Sequence, residues 1–302
     1  MRLSLGINTA FAVKRWPRPA DWVPIVRDRL GLSIVQHTFD LVPAGMPAGS
    51  AEGVATLADA HDITVHSTFT GLAAYSDNLL LHPDATARDD AEAWYRQAIA
   101  FTAALGAHAT GGHVGAFGVV DWQDAVRRRE RWAALQQALE RLAIVARAAE
   151  LDYLVVENLA AAREPSTMAM IRELLTAGDV DRVPIRLCLD VGHMCVPGTS
   201  GPDRDPYAWL RALGRDAPMI QLQQSDAGGD HHWPFTVERN AVGRIDADRV
   251  IDALAEGGVE ESVLLLEVLP PFEQDDGEVL DDLAASADYW RDALARRGVL
   301  AG

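Results

Sequence analysis

The sequence predicts a closed (β/α)8 barrel, and three observations carry that reading. Short apolar runs recur eight times along the chain, each followed by a helical pattern, at roughly the 30–45 residue spacing of βα units with parallel strands. Several runs are continuous rather than alternating, most clearly Tyr153–Glu157, Arg186–Asp190 and Val263–Glu267, as expected of strands covered on both faces. No linker, repeat or low-complexity run splits the 302 residues, which are read as a single barrel domain, 1–302. That length accommodates one barrel of about 250 residues with insertions.

The elements are expected in this order. Leu3–Ile7 is the first strand, with a loop from Asn8 to Pro19 and a helix over Ala20–Leu30. Leu32–Gln36 is the second strand, and a helix from Ser50 or Ala51 runs to Ala60. Ile63–His66 is the third, with His66 at its end, and Pro83-Asp84 opens a helix to Leu105. Ala107–Thr110 is the fourth, leading into Gly111-Gly112-His113. Asp121 is expected to cap a long helix in which Trp132, Leu135, Leu139, Leu142 and Val145 repeat at three- and four-residue spacing. The fifth strand ends at Glu157, and Ser166 caps a helix to Ala177. The sixth ends at Asp190, followed by a helix over Pro206–Leu213. Met219–Gln223 is the seventh, and its long loop, Gln224–Arg244, precedes a helix capped by Asp246. The eighth ends at Glu267 before a final helix over Leu280–Arg297.

Composition narrows the function. The net charge is −17, a sign that repels phosphate backbones and disfavours nucleic-acid partners. No run reaches the ~18 apolar residues of a membrane span, and the amino-terminal stretch lacks the regions of a secretory signal. Cys188 and Cys195 form no disulfide framework, so a cytoplasmic protein without membrane attachment is expected. Of 27 basic residues, 26 are Arg, and Lys14 alone is Lys. A compact ammonium kept amid arginines singles Lys14 out as a candidate contact for a small anion, although survival on a solvated loop explains it equally well.

In a (β/α)8 barrel the active site lies at the C-terminal ends of the strands. There the sequence places His66, His113, Glu157, Asp190, His193, Gln223 and Glu267, with Asp230 and His232 in the seventh loop. Singly, His66 or His113 reads as a hydrogen-bonded core histidine, Asp190 as a turn cap, and Asp230-His231-His232 as a solvated loop. Glu157 and Glu267 resist such readings, because a carboxylate ending a buried strand is costly unless a metal or proton compensates it. Carboxylate, amide and imidazole donors together suit a divalent cation such as manganese, cobalt, magnesium or zinc.

The pattern resembles the xylose isomerase-like barrel superfamily, which includes D-tagatose 3-epimerase-type ketose epimerases, hydroxypyruvate isomerases, inosose dehydratases and type IV apurinic endonucleases. The matching pieces are VVENL around Glu157, CLDVGHM around Asp190 and His193, MIQLQQSD around Gln223 and LLLEVLP around Glu267, with His66 and HPDATAR extending the match. The resemblance implies one metal held by Glu157, Asp190, Gln223 and Glu267. Gln223 departs from the family's usual histidine, and an amide oxygen favours manganese, magnesium or cobalt over zinc. It further implies Glu157 and Glu267 as the acid/base pair acting beside a carbonyl through an enediolate. His66, His113, His193, Asp230 and His232 would contact substrate. Phe11, Trp16 and Trp233 would wall the pocket, and Lys14 or Arg15 would meet a phosphate. FAVKRWP and the QLQQSD and DHHWPF segments are similar to those of tetrulose-phosphate epimerases. Exposed barrel helices often pair in this family, so a homo-oligomer is expected.

The leading expectation is therefore an isomerase, either a ketose 3-epimerase or an aldose–ketose isomerase, acting on a small sugar or sugar phosphate. A lyase or dehydratase on inososes or 3-keto-glycosides is the second reading. A metal-dependent apurinic endonuclease is the third, with the acidic charge and Gln223 against it.

Overall fold

In a computed structural model describing residues 1–46 and 48–301, eight parallel strands close into a barrel in chain order. They are β1 (Arg2–Asn8), β2 (Ile34–Thr38), β3 (Thr64–Phe69), β4 (Ala109–Gly112), β5 (Tyr153–Glu157), β6 (Ile185–Asp190), β7 (Met219–Leu222) and β8 (Glu261–Leu266). β8 pairs with both β7 and β1, which closes the ring and leaves no free sheet edge.

Helices surround the strands: α1 (Pro19–Pro24, continued by a wider turn to Arg29), α2 (Ala48–Ala60), α3 (Ala74–Asp77) and α4 (Ala85–Ala104), then α5 (Val119–Gln123), α6 (Ala125–Ala148), α7 (Met168–Leu174), α8 (Pro206–Leu213), α9 (Val237–Val242), α10 (Ala247–Glu256) and α11 (Asp276–Arg296). Carboxylates start several of them by accepting orphan backbone N–H groups: Asp84 for α4, Asp205 for α8, Asp246 for α10 and Asp275 for α11. The long α6 is capped by Asp124, not Asp121. Asp121 lies inside the short α5 that fills the preceding loop, buried beside Arg127 and Arg131. Likewise Thr167, not Ser166, caps α7.

The main core lies between barrel and helices, where Leu135, Leu139 and Leu142 of α6 pack against Leu154 and Val156 of β5. Inside the barrel, side chains stack in layers set by the two-residue period of a strand. Met219 and Leu265 belong to an apolar cluster within the barrel, and Gln221 and then Gln223 follow along β7 toward the C-terminal end. The turn out of β4 needs its glycines. Gly111 holds φ +144°, and a Cβ there would stand 2.0 Å from the Val155 carbonyl oxygen.

Candidate active site

β5 ends on Glu157 and β6 on Asp190, while Gln223 and Glu267 follow β7 and β8 directly. All four are buried. The chain leaving β7 folds back on itself, with Gln224 and Trp233 exchanging backbone hydrogen bonds of 2.9 and 3.1 Å. This hairpin brings Asp230 and His232 over the strand ends. His232 holds a left-handed backbone, φ +49°, uncommon for a residue with a side chain. Glu157, Asp230, His232 and Glu267, together with His113 of the β4 loop and His193 of the β6 loop, line a cavity of about 190 Å3, with Asp190 and Gln223 buried behind them. Phe69, Leu72, Tyr75, Leu159 and Leu269 form its apolar wall, and Asp40 sits at its edge.

Glu267 is supported from inside the barrel. Its Oε1 accepts from Asn8 Nδ2 at 3.0 Å and from Gln221 Nε2 at 2.9 Å, and both amides also donate to Gln36 Oε1. Glu157 has no such amide support among the described residues; its Oε1 lies 3.4 Å from His193 Nδ1. Burial pushes the Glu157 carboxyl up to about 8, with Asp190 and Asp230 adding repulsion against the pull of His193. Glu267 is raised well above the ordinary range by burial, then by Asp190 and Glu157.

His193 sits among three acids: Glu157, Asp190 at 3.9 Å and Asp230 at 3.3 Å. Burial opposes its positive charge, but Asp190 and Asp230 overcome that and hold it well above the usual imidazole range. Asp230 mirrors this. Burial works to raise it, and His193 followed by His232 pulls it far below the carboxylate range. Asn158 fixes the local geometry by bonding both the amide and the carbonyl of Asp190 at 2.9 Å, while its own carbonyl meets His193 Nδ1 at 2.7 Å.

Gln223 is not placed as an amide-oxygen ligand. Its Oε1 accepts the His232 backbone N–H at 2.6 Å, so its Nε2 faces Asp190 at 3.2 Å and Asp230 at 2.8 Å. Turning the amide over would set Nε2 against that N–H, donor against donor. Gly192 leaves the room for this side chain, since a Cβ there would come within 2.3 Å of Gln223 Cδ. The imidazoles near the carboxylates are those of His193 and His232. Asp190, His232 and Glu267 offer donor atoms within 4.8 Å of one another, as do Glu157, Asp190 and His193, and His193, Asp230 and His232. With Gln223 Oε1 on the His232 N–H, a preference for manganese or magnesium over zinc does not rest on an amide oxygen.

Six other expected residues are not among those lining the cavity. His66 does not end β3, because Ser67, Thr68 and Phe69 continue the strand. It lies toward the opposite end of the barrel, 3.4 Å from the hydroxyl of Tyr153, the first residue of β5, and burial lowers its pKa to about 4. Trp16 packs on Phe11, itself fully buried in the outer core, and neither lines the cavity. Trp233 stacks on His231 under Arg239. Arg15 is committed to Asp276 and to the carbonyls of Pro271, Phe272 and Gln274. Lys14 is exposed on the same loop, with its Nζ 5.3 Å from the Phe272 ring centre.

Sequence reasoning missed the supports. Asn8 and Gln36 are amides within strands, and only their mutual contacts reveal a role. Glu164 is buried beside His113, whose Nδ1 accepts the Gly115 N–H and whose Nε2 meets Glu164 at 3.4 Å. A buried polar residue three places before a helix cap gives no periodic signal.

The chain's similarities agree with this architecture. A family model described as xylose isomerase-like TIM barrel matches residues 28–293. The D-erythrulose 1-phosphate 3-epimerase of Brucella abortus (strain 2308) is 30% identical over 305 residues, covering 96% of each chain. A solved Rhodospirillum rubrum chain, provisionally named a xylose isomerase, is 32% identical with a TM-score of 0.87, over 96% of this chain and 99% of that one. D-psicose 3-epimerase of Clostridium cellulolyticum H10, solved with D-tagatose, shares the fold at a TM-score of 0.72 and 19% identity, over 96% of this chain and 99% of that one. The chain belongs to the xylose isomerase-like TIM-barrel family.

Proposed function

We propose that the protein is a divalent-metal-dependent ketose 3-epimerase using Glu157 and Glu267 as its acid/base pair. The carrying observation is that these two buried glutamates, both raised in pKa, line one small cavity from strands three apart in the ring, with Asp190 and two imidazoles between them. Raised carboxyl groups are suited to exchanging protons with carbon acids near neutral pH.

The donor set fits a cation. Asp40, Glu157, Asp230 and Glu267 line the cavity, and no Lys or Arg is among the described residues lining it. Glu157, Asp190, His232 and Glu267 would hold the ion, with Gln223 orienting Asp190 and Asp230 through its amide nitrogen. An oxygen-rich set with one imidazole suits manganese, cobalt or magnesium. Bound there, a divalent ion would supply Lewis acidity toward a carbonyl and its neighbouring hydroxyl. One glutamate removes the C3 proton, and the other returns a proton to the opposite face of the planar enediolate. His193 and Asp230 hold substrate hydroxyls, and His113, braced by Glu164, positions the far end. The apolar wall of Phe69, Leu72 and Leu159 limits water that would compete for the carbanion.

The relative's name, D-erythrulose 1-phosphate 3-epimerase, makes a four-carbon ketose and its 1-phosphate the first substrates to test. A lyase would start from the same proton abstraction but expel a neighbouring group. Incubation with manganese and each ketose in D2O, read by proton NMR, separates the readings. Deuterium at C3 with epimer formation supports the epimerase; deuterium at C1 or C2, or loss of water from the sugar, refutes it.

A further inference from the structure

Building on the epimerase reading, we propose that the substrate is a ketose monophosphate and that Lys14 is the specificity residue holding its phosphate. The cavity is rich in carboxylates, and no Lys or Arg is among the described residues that line it. The relative's named substrate is a phosphate ester, and a dianion of that kind would need its cation at the mouth. The β1 loop meets the β8 loop there: Ala10 and Leu269 line the cavity, and Lys14 and Phe272 touch a few residues further along each loop.

Two cations in this loop are built for different tasks. Arg15 spends its guanidinium on Asp276 and three backbone carbonyls of the β8 loop, which fixes the loop pair. Lys14 makes no ion pair among the described residues and rests over Phe272, itself 62% exposed. Its backbone holds φ +78°, a left-handed conformation that a residue with a Cβ adopts at a cost, so the ammonium is presented by a strained and anchored turn. It is also the one lysine of the chain, and an ammonium on a flexible stem suits a phosphate that arrives and leaves with each turnover.

The test compares the protein with Lys14→Met and Lys14→Arg, each loaded with manganese, on a four-carbon ketose and its 1-phosphate. The expected result is a 10- to 100-fold fall in the Lys14→Met preference for the phosphate ester, expressed as the ratio of kcat/KM values and arising in KM, which is the scale of one lost hydrogen bond to a charged group. Lys14→Arg recovers part of that ratio, and inorganic phosphate inhibits the unmodified protein competitively but inhibits Lys14→Met far less. A ratio that Lys14→Met leaves unmoved, or an unmodified protein without preference for the phosphate ester, overturns the proposal. Failure of the epimerase reading shows separately, as absence of C3 exchange from either substrate.

Discussion

Strands β5 to β8 end in, or are followed at once by, Glu157, Asp190, Gln223 and Glu267, whereas β1 to β4 end in Asn8, Thr38, Phe69 and Gly112. The first half of the ring thus brings no acid at its strand ends; it supplies support and wall. Asn8 steadies Glu267, Phe69 closes one side, and Gly111 lets β4 run close to β5. The second half carries nearly all the charge. A barrel can divide its work this way because each strand end is built independently while all eight face one mouth. The two glutamates differ for the same reason: Glu267 lies beside β1 and receives an amide donor, Asn8, from the first half, and Glu157 receives none among the described residues.

Removing a member of the acidic half has the largest effect. Asp190 belongs to two of the three donor groups, so Asp190→Ala should lower turnover by roughly 1,000-fold or more and abolish stoichiometric metal measured by elemental analysis. Retained metal with full activity would break the division into halves. A change in the supporting half is milder and acts through Glu267. Asn8→Leu removes one donor from a buried carboxylate and should cost about 1–3 kcal/mol in urea unfolding, with kcat reduced and the metal retained.

A pH dependence of the metal-stripped protein follows from the same burial. A carboxyl of Glu157's type ionises near 4.5 when unfolded, but in the fold Glu157 keeps its proton to about 8. The folded state therefore binds more protons across that window, and stability should decline as pH rises through it. Manganese should reverse the trend and release protons on binding, read by calorimetry in buffers of different ionisation enthalpy. A stripped protein that grows more stable from pH 5 to 8 would contradict the burial argument.

The sequence made the acidic half legible and the other half much less so, for physical reasons. A carboxylate after four apolar residues is anomalous in itself, which is why Glu157 and Glu267 stand out unaided. β3 continues past His66 through Ser67, whose hydroxyl meets Gln36, and Thr68, whose hydroxyl meets Thr110 and Thr102 of α4, so polar composition hid a strand. The seventh loop was legible as a source of Asp230 and His232, but the orientation of Gln223 was not. It depends on a backbone N–H nine residues away, delivered by the hairpin of Gln224 and Trp233. Asp121 and Asp124 are equally good caps by composition, and the short α5, which contains Asp121 and ends before Asp124, decided the matter.

The central claim is that Glu157 and Glu267 handle one substrate proton from two faces. Proton NMR of C3 exchange in D2O, with the unmodified protein beside Glu157→Gln and Glu267→Gln at saturating manganese, tests it most directly. The account predicts C3 deuteration and epimer formation by the unmodified protein and neither by either variant with metal still bound; exchange that survives both substitutions would contradict it.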